Sequence, residues 1–300
     1  MVNFMESEAA QWRQIYRRLK SEGKLCAPRG LQILEVENFS YSLAPYVRFP
    51  NFEARHLNLD YIREEFQWYL GGDPYDLGIL QHASIWRNLV LRGRLNSNYG
   101  LYVFRKGGLD WAASELARDR DSRRACITIL DDTHLKEETL DVPCTAYMNF
   151  RIRNNKLNMS VHMRSQDAIY GMTNDAPAFS FVHEMLYVAL RDTCYPDLQM
   201  GDYHHTADSF HVYARHFKML DELCKDGAEF TTIEVPRISG AQEVDYLRSC
   251  SWMTDVPPRE FDFTHWLTDA KLQIRSEIGL SAETQKEKGV TVEFEEDGDS

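Results

Sequence analysis

Apolar residues recur along the chain at two spacings, and each spacing predicts a different type of secondary structure. Spacing of three to four residues, typical of a helix with one buried face, occurs in four segments: 9–19, 59–70, 110–118 and 177–191. In the first segment Trp12, Ile15 and Leu19 would lie on one face. The run Gly71-Gly72-Asp73-Pro74 predicts the end of the second helix.

Strands are predicted by short apolar runs and by strict alternation of apolar and polar residues. Apolar runs favour strands at 31–36 and 125–130, and a polar turn at Arg153-Asn154-Asn155-Lys156 separates two more. After this turn Leu157, Met159 and Val161 would face one way, and the polar residues between them the other. Helices and strands intermixed in this manner predict an α+β domain.

Charge separates the C-terminal part of the chain from the rest. The 300 residues carry 34 Lys and Arg against 46 Asp and Glu, a net charge of −12. A free-standing nucleic-acid binder normally has a basic face, so this balance argues against that class. We expect one domain at residues 1–225 and an extension at 226–281 packed on it. Seven acids and two bases then predict an acidic, disordered tail at 282–300.

The six cysteines are scattered, and no two of them have the two-residue gap that zinc and redox sites favour. Residues 1–18 lack the apolar core of a signal peptide, and no apolar run reaches the roughly 18 residues of a membrane span. These features predict a cytoplasmic protein with reduced cysteines and no metal site.

Two residues have positions that favour catalytic chemistry. Cys144 follows a proline at the start of a predicted strand, where an exposed thiol could be a nucleophile and a buried one would be inert. Glu65 shares a helical stripe with Ile62 and Phe66, so an apolar wall could raise its pKa for acid–base work. The alternative for Glu65 is a helix-flank carboxylate paired with Arg63 or with a distant base.

Arginines and hydrogen-bonding side chains form a second group of candidates. Arg123, Arg124 and Arg164 have guanidiniums that suit bidentate phosphate binding if they converge, whereas isolated ones would be surface charges. His211 and Tyr213 would lie on one side of an extended segment, where both could hydrogen-bond a sugar hydroxyl.

Most of these residues belong to an ordered series of motifs between about 57 and 217. The series comprises Glu65-Phe66-Gln67-Trp68-Tyr69, Ile85-Trp86, Asn96-Ser97-Asn98-Tyr99-Gly100, Asp121-Ser122-Arg123-Arg124, Pro143-Cys144-Thr145, Met163-Arg164-Ser165-Gln166-Asp167, Gly171 to Asp175, and His211-Val212-Tyr213. Together they resemble the thymidylate synthase superfamily, in particular its bacteriophage deoxycytidylate hydroxymethylase branch. The resemblance implies an α+β fold with helices flanking a mixed sheet, one face of which forms a homodimer interface.

The resemblance also implies how a nucleotide is bound and activated. Cys144 would be the nucleophile that adds to C6 of the pyrimidine. Arg164 and Ser165 would bind the phosphate, together with Arg123 and Arg124 of the partner subunit. Converging guanidiniums would also bias the thiol towards its thiolate. A further phosphate arginine is matched only loosely, by the Arg29-Gly30 turn.

The remaining matched residues would contact the ring, the sugar and the folate. Tyr99 would lie near the reacting ring, and His211 with Tyr213 would bind the 3′-hydroxyl. Glu65 would manage protons and an ordered water. The positions associated with 5,10-methylenetetrahydrofolate are Trp86, Asp167 and Glu65.

One position bears on which base is bound. The synthases have asparagine where this chain has Asp175, and an amide pairs with both N3–H and O4 of uracil. A carboxyl group could instead accept from N4 of cytosine and exchange a proton with N3, which favours cytosine. The alignment from Gly171 selects Asp175, whereas a one-residue slip would place Asn174 there.

Departures from the synthase pattern bear on the transferred carbon. A second synthase tryptophan is Leu89 here, an acidic extension replaces the hydrophobic C-terminus, and the loop at Asn96-Ser97-Asn98-Tyr99 resembles the hydroxymethylase version. These features favour addition of water over hydride transfer. We therefore predict that dCMP and methylenetetrahydrofolate yield 5-hydroxymethyl-dCMP.

Three alternatives remain open at this point. The chain could be a dCMP methylase of the same fold, or it could use CMP, since no identified residue tests for a 2′-hydroxyl. It could also be a non-catalytic scaffold in a nucleotide-synthesis complex, with residues 292–300 as a docking segment.

Overall fold

The computed structural model describes residues 7–135 and 139–269, along which helices and strands are intermixed. The helices are α1 (Glu8–Glu22), α2 (Leu59–Gly71), α3 (Gly108–Arg118), α4 (Gly171–Thr193), α5 (Phe217–Leu223), α6 (Ala241–Ser249) and α7 (262–269). The strands are β1 (Lys24–Cys26), β2 (Ile33–Leu43), β3 (Cys126–Thr128), β4 (Thr145–Arg153), β5 (Lys156–Met163), β6 (Gln166–Asp167) and β7 (Gln199–Tyr213).

The strands form one sheet in the order β1-β2-β7-β5-β4-β3, and the short β6 also pairs with β7. Strand β7 runs parallel to β5 and β6, and the other neighbours are antiparallel. Asn154 and Asn155, both with positive φ angles, form the predicted turn between β4 and β5. A mixed sheet flanked by helices confirms the α+β fold class.

The two faces of the sheet differ in polarity. Leu157 and Met159 of β5 are fully buried on the face that α4 covers, as their alternation predicts. On the opposite face His162 Nε2 lies 3.0 Å from an oxygen of Asp208. Tyr147 stacks on His162 and remains 39% exposed. The apolar face therefore forms the core, and the polar face is left partly accessible.

Helix α4 begins six residues before the predicted start at Pro177, which changes the setting of Asp175. Proline favours the first turn of a helix, yet here Pro177 lies inside it. Arg55 supports the turn before it: Nε donates to the Ile169 carbonyl at 2.6 Å and Nη2 to Thr173 Oγ1 at 2.9 Å. Asp175 therefore lies on a helix, which fixes the direction of its side chain.

Two strands extend beyond what apolar runs predict. The 31–36 run belongs to β2, which continues because Phe39 and Tyr41 are buried while serines alternate with them. Strand β7 has no apolar run to reveal it, since its buried face includes His205. Strand β3 is shorter than predicted. The other predicted helices and the hairpin are confirmed, with small differences at their ends.

Residues 226–269 pack on the helices and on the segment before α2. The ring of Phe230 lies 4.9 Å from that of Phe52, and the ring of Phe263 lies 5.1 Å from that of Phe181. The predicted acidic tail at 282–300 lies outside the described residues. Within 7–135 and 139–269, no helix has the length and apolar character to cross a membrane.

Candidate active site

Cys144 lies in the segment that leads into β4, with its side chain partly buried. Burial raises the pKa of its thiol, and the nearby carboxylates of Asp175 and Asp141 act in the same direction. Arg164 and Arg29 lower this pKa. The sum within one protomer is a raised pKa, and the expected bias towards the thiolate, which includes the arginines of the partner subunit, stays a prediction.

Arg164 binds the backbone around this thiol. Its Nε and Nη2 donate to the carbonyls of Pro143 and Val142 at 3.0 and 2.6 Å. Its backbone N–H donates to the carbonyl of Cys144 at 2.8 Å. The Arg164 side chain is exposed and Ser165 is partly buried, so both remain accessible to an anion beside the thiol.

Glu65 of α2 is 4% exposed and has one oxygen without a partner. Its Oε1 accepts from the Tyr61 hydroxyl at 2.8 Å, and Trp86 Nε1 donates to the same hydroxyl oxygen at 3.0 Å. Burial and the charge of Asp175 raise the pKa of Glu65 to about 8. The interpretation of a carboxyl group in an apolar wall is confirmed, and the alternative pairing with Arg63 is wrong.

Asp175, on the first turns of α4, is a second buried carboxyl group. Gln166 Nε2 lies 3.4 Å from its Oδ2, and burial raises the pKa of Asp175 to about 7. Its charge acts on both Glu65 and Cys144, so the three ionisable groups lie close together, and we call the region among them the pocket. Successive helix residues point about 100° apart, so Asp175 rather than the partly buried Asn174 faces this pocket.

Tyr99 reaches the same pocket from the loop that precedes Gly100. Its ring stacks on that of Tyr69, with centroids 5.4 Å apart. A Cβ at Gly100 would lie 1.6 Å from the Tyr69 carbonyl oxygen, so only glycine permits this close approach. Burial raises the pKa of Tyr99, and the charges of Cys144 and Asp175 add to that effect. Tyr99 is therefore a neighbour of the thiol, and its place beside the reacting ring stays a prediction.

His211 and Tyr213 lie on β7 beside Asp167. Asp167 and His211 are paired residues of β6 and β7, and the rings of His211 and Tyr213 meet edge to face at 5.1 Å. The Asp167 carboxylate accepts from the backbone N–H groups of Ile169 at 3.0 Å and Tyr170 at 3.2 Å. The sugar and folate candidates therefore adjoin the segment predicted to bind phosphate.

Arg123 and Arg124 are not brought to Cys144 within one chain. Both are exposed, and they precede Ala125, whose carbonyl accepts from the N–H of Phe150 near the far end of β4. They lie about 20 Å from Cys144 along the strand, since a strand rises about 3.3 Å per residue. Within the protomer they cannot contact a ligand at the thiol.

Several residues at the site escaped the sequence interpretation. Tyr61 precedes Glu65 by four residues, a helical spacing that could have revealed it. Arg29, in a turn with φ of 53°, was matched only loosely. Gln166 belongs to a quoted motif but was given no role, and it contacts Asp175 only nine residues away. Asp141 contacts Ser97, 44 residues earlier, which no local spacing can reveal.

The raised pKa of Glu65 predicts a pH-dependent stability. An unfolded glutamate titrates near pH 4.3, whereas the folded pKa is about 8, so the unfolded chain loses this proton first as pH rises. Wild-type stability should therefore fall between about pH 5 and 8, relative to Glu65→Gln, which has no such proton. Urea unfolding at pH 5, 7 and 9 measures this difference. Glu53→Gln, at a side chain 70% exposed, is the matched control. A difference that stays constant with pH would contradict the assigned burial.

Comparison with known proteins agrees with this geometry. The sequence profile of the family described as thymidylate synthase matches residues 11–256. A deoxycytidylate 5-hydroxymethyltransferase of Enterobacteria phage T4 is 29% identical over 219 residues, and that of phage T6 is 30% identical over 220. Each match covers 70% of this chain and 87% of the relative. A deoxyuridylate hydroxymethyltransferase of Bacillus phage SP01 is 25% identical over 270 residues, which cover 81% of this chain and 68% of the relative. The chain belongs to the thymidylate synthase family, in the branch of the phage hydroxymethyltransferases, and is an enzyme that transfers one-carbon groups.

Proposed function

We propose that the protein converts dCMP to 5-hydroxymethyl-dCMP, with 5,10-methylenetetrahydrofolate as the one-carbon donor. The observation that carries the proposal is the buried carboxyl group of Asp175. With a pKa of about 7, it is available in both protonation states near neutral pH. It can accept from N4 of cytosine when ionised and donate to N3 when protonated. Relatives named for deoxycytidylate support this base, and a relative named for deoxyuridylate makes the base the point to test.

Cys144 begins the proposed reaction. Its thiolate adds to C6, which forms an S–C6 bond, and the displaced C5–C6 electron pair makes C5 nucleophilic while Asp175 protonates N3. C5 bonds to the one-carbon unit as the bond from that carbon to one folate nitrogen breaks, and C5 loses its proton to a base. Cleavage of the second carbon–nitrogen bond releases tetrahydrofolate and leaves an exocyclic methylene on the pyrimidine. Water adds to that methylene, the S–C6 bond breaks to regenerate the thiolate, and N3 returns its proton to Asp175. Arg164 and Arg29 lower the cost of ionising the buried thiol.

Glu65 is the group proposed to manage protons and the water. Tyr61 occupies Oε1, so Oε2 is left to accept a hydrogen bond from a water molecule. A carboxyl group with a pKa of about 8 can donate or accept a proton near neutral pH. Glu65 can therefore orient the water that adds to the methylene.

The nucleotide is held from its phosphate and its sugar. Arg164 and Ser165 bind the phosphate, and His211 with Tyr213 hydrogen-bond the 3′-hydroxyl. The proposed catalytic unit comprises residues 1–225, and 226–281 form an extension.

The proposed enzyme is a homodimer joined through the polar face of the sheet. Arg123 and Arg124 lie too far from Cys144 to serve their own site, and their exposure leaves them available to a partner. The partner's Arg123 and the partner's Arg124 would add two cations to the phosphate site, which would also favour the thiolate.

The folate would be held by Trp86, Asp167 and Glu65. Trp86 is partly buried against Trp68 at 5.3 Å, and its neighbour Ile85 is 61% exposed. An exposed apolar side chain beside a buried carboxyl group fits a flat ring with polar edges. The folate supplies the methylene carbon.

Product mass distinguishes the proposed reaction from its competitors. Wild-type protein with methylenetetrahydrofolate should add a CH₂O unit to dCMP and react more slowly with CMP and dUMP. Addition of CH₂ with formation of dihydrofolate would identify a methylase, and absence of any product would favour a scaffold.

Cys144→Ala should abolish tritium release from 5-³H-dCMP, whereas Cys194→Ala, at an exposed cysteine, should retain it. Native release by Cys144→Ala would exclude the covalent mechanism.

Asp175→Asn should reverse the preference of the enzyme between cytosine and uracil. The amide cannot transfer a proton to N3 of cytosine, but it pairs with N3–H and O4 of uracil. The ratio of kcat/KM for dCMP to that for dUMP should fall by about 100-fold or more, because a polar group in the site is left mismatched. Asn174→Asp, the reverse change at the adjacent residue, should leave this ratio unchanged. If the adjacent change alters the ratio instead, Asp175 does not read the base.

Mixing two inactive variants tests the shared site. Cys144→Ala should be inactive, and Arg123→Ala/Arg124→Ala should bind dCMP weakly. After exchange of subunits, hybrid dimers contain one intact site, so activity should recover to about a quarter of wild type. Arg17→Ala, which removes an arginine from an exposed ion pair, is the control. No recovery from exchanged subunits would place the arginines outside the site.

A further inference from the structure

Asp141 precedes Cys144 by three residues and is 2% exposed. Its carboxylate faces the loop that carries Tyr99 and contacts none of the cations described around the thiol. Oδ2 accepts from the backbone N–H of Ser97 at 3.0 Å, and Oδ1 accepts from the Ser97 hydroxyl. The Asp141 carbonyl accepts from Asn96 Nδ2 at 3.0 Å. Three hydrogen bonds thus join the segment 141–144, which we call the thiol segment, to Asn96 and Ser97 of the loop that carries Tyr99.

A further hydrogen bond links Ser97 to Tyr99, the residue expected near the pyrimidine ring. The Ser97 carbonyl accepts from the backbone N–H of Tyr99 at 2.9 Å, so one residue separates the Asp141 contact from the ring of Tyr99. On its other side the thiol segment is held by Arg164, through the carbonyls of Val142 and Pro143. The thiol segment is therefore tied to a different structural element on each side.

The charge of Asp141 works against the thiol. A nearby carboxylate raises the pKa of Cys144, whereas a nucleophile benefits from a lower one. Activation of the thiol therefore does not explain a carboxylate at this position. An ionised carboxyl group does provide two acceptors, and Ser97 offers two donors that match them.

We propose that Asp141 is a positioning residue, which acts through Ser97 to hold Tyr99 and Cys144 in one geometry around the pyrimidine ring. This inference rests on the proposed role of Cys144 as the nucleophile. Asp141 itself contacts neither the substrate nor the reacting atoms.

Two substitutions separate the hydrogen bonds of Asp141 from its charge. Asp141→Asn removes the charge and replaces one acceptor by a donor, and Ser97→Ala removes one hydrogen bond but keeps the charge. The kcat for tritium release from 5-³H-dCMP should fall roughly 10- to 100-fold in both, with a smaller change in KM, because a displacement of about 1 Å at a reacting centre has that effect. The double variant should be no slower than Asp141→Asn, since both changes break one connection.

Alkylation of Cys144 by iodoacetamide, followed on its own peptide by mass spectrometry, provides a second readout. The pH at which the alkylation rate reaches half its limiting value should fall in Asp141→Asn and should not fall in Ser97→Ala. The limiting rate at high pH should rise in both, because the thiol segment is held less firmly. Glu243→Gln is the matched control: Glu243 is also fully buried and accepts from the backbone N–H groups of Ser239 and Thr264. The Glu243→Gln substitution should lower stability to urea without changing the kcat for tritium release, the pH midpoint of alkylation or the limiting rate of alkylation.

The results that overturn the inference are distinct from failure of the proposed function. A kcat for Asp141→Asn equal to or above wild type would mean that the charge dominates and positioning does not. Additive losses in the double variant would mean that Asp141 does not act through Ser97. Absence of tritium release from wild type would instead remove the proposed dCMP reaction. Alkylation needs no nucleotide, so unchanged limiting rates in both variants would still overturn the positioning role.

Discussion

Removal of carboxyl groups from water is the constraint on which the site depends. Glu65 and Asp175 are both buried, and the hydrogen bonds described for them come from a tyrosine hydroxyl and an amide rather than from cations. Without a cation to stabilise the ionised form, burial raises the pKa of each, and the charge of Asp175 adds to the shift of Glu65. The pKa values, about 8 for Glu65 and about 7 for Asp175, therefore both lie near neutral pH. Their neighbours have to be polar but uncharged, as Tyr61 and Gln166 are.

Hydrogen bonds near the starts of α2 and α4 hold these two carboxyl groups in place. Asn58 caps α2 by accepting from the backbone N–H of Tyr61 at 3.0 Å, which fixes the start of the helix that carries Glu65. Arg55 supports the turn before Asp175 through the contacts with Ile169 and Thr173 described above. Helices α2 and α4, which lie far apart in the sequence, thus each present one carboxyl group to the pocket. Neither helix alone could exclude water from both groups.

The sequence predicted this site better through its motifs than through its periodicity. Spacing located α2 and identified Glu65 as a carboxyl group on an apolar stripe, because both features are local. The start of α4 was predicted too late, since the interaction that supports the first turn comes from Arg55, more than a hundred residues earlier. Of β7 only the end, at His211 and Tyr213, was expected to be extended, because the buried His205 interrupts the apolar face of the rest. Asp141 acts through contacts with Ser97, 44 residues earlier, and a single sequence contains no signal for those.

In the proposed function, binding of the nucleotide phosphate by this acidic chain would depend on a few guanidiniums, and Arg164 would also hold the backbone beside Cys144. A guanidinium has five N–H donors, and two nitrogens of Arg164 already donate to the carbonyls of Val142 and Pro143. The remaining donors are exposed and available to a phosphate. A phosphate bound there would be joined through one rigid, planar group to the backbone that carries Cys144. Lysine could supply the charge but not this fixed fork, so in the proposed enzyme the same side chain would set the position of the phosphate and that of Cys144.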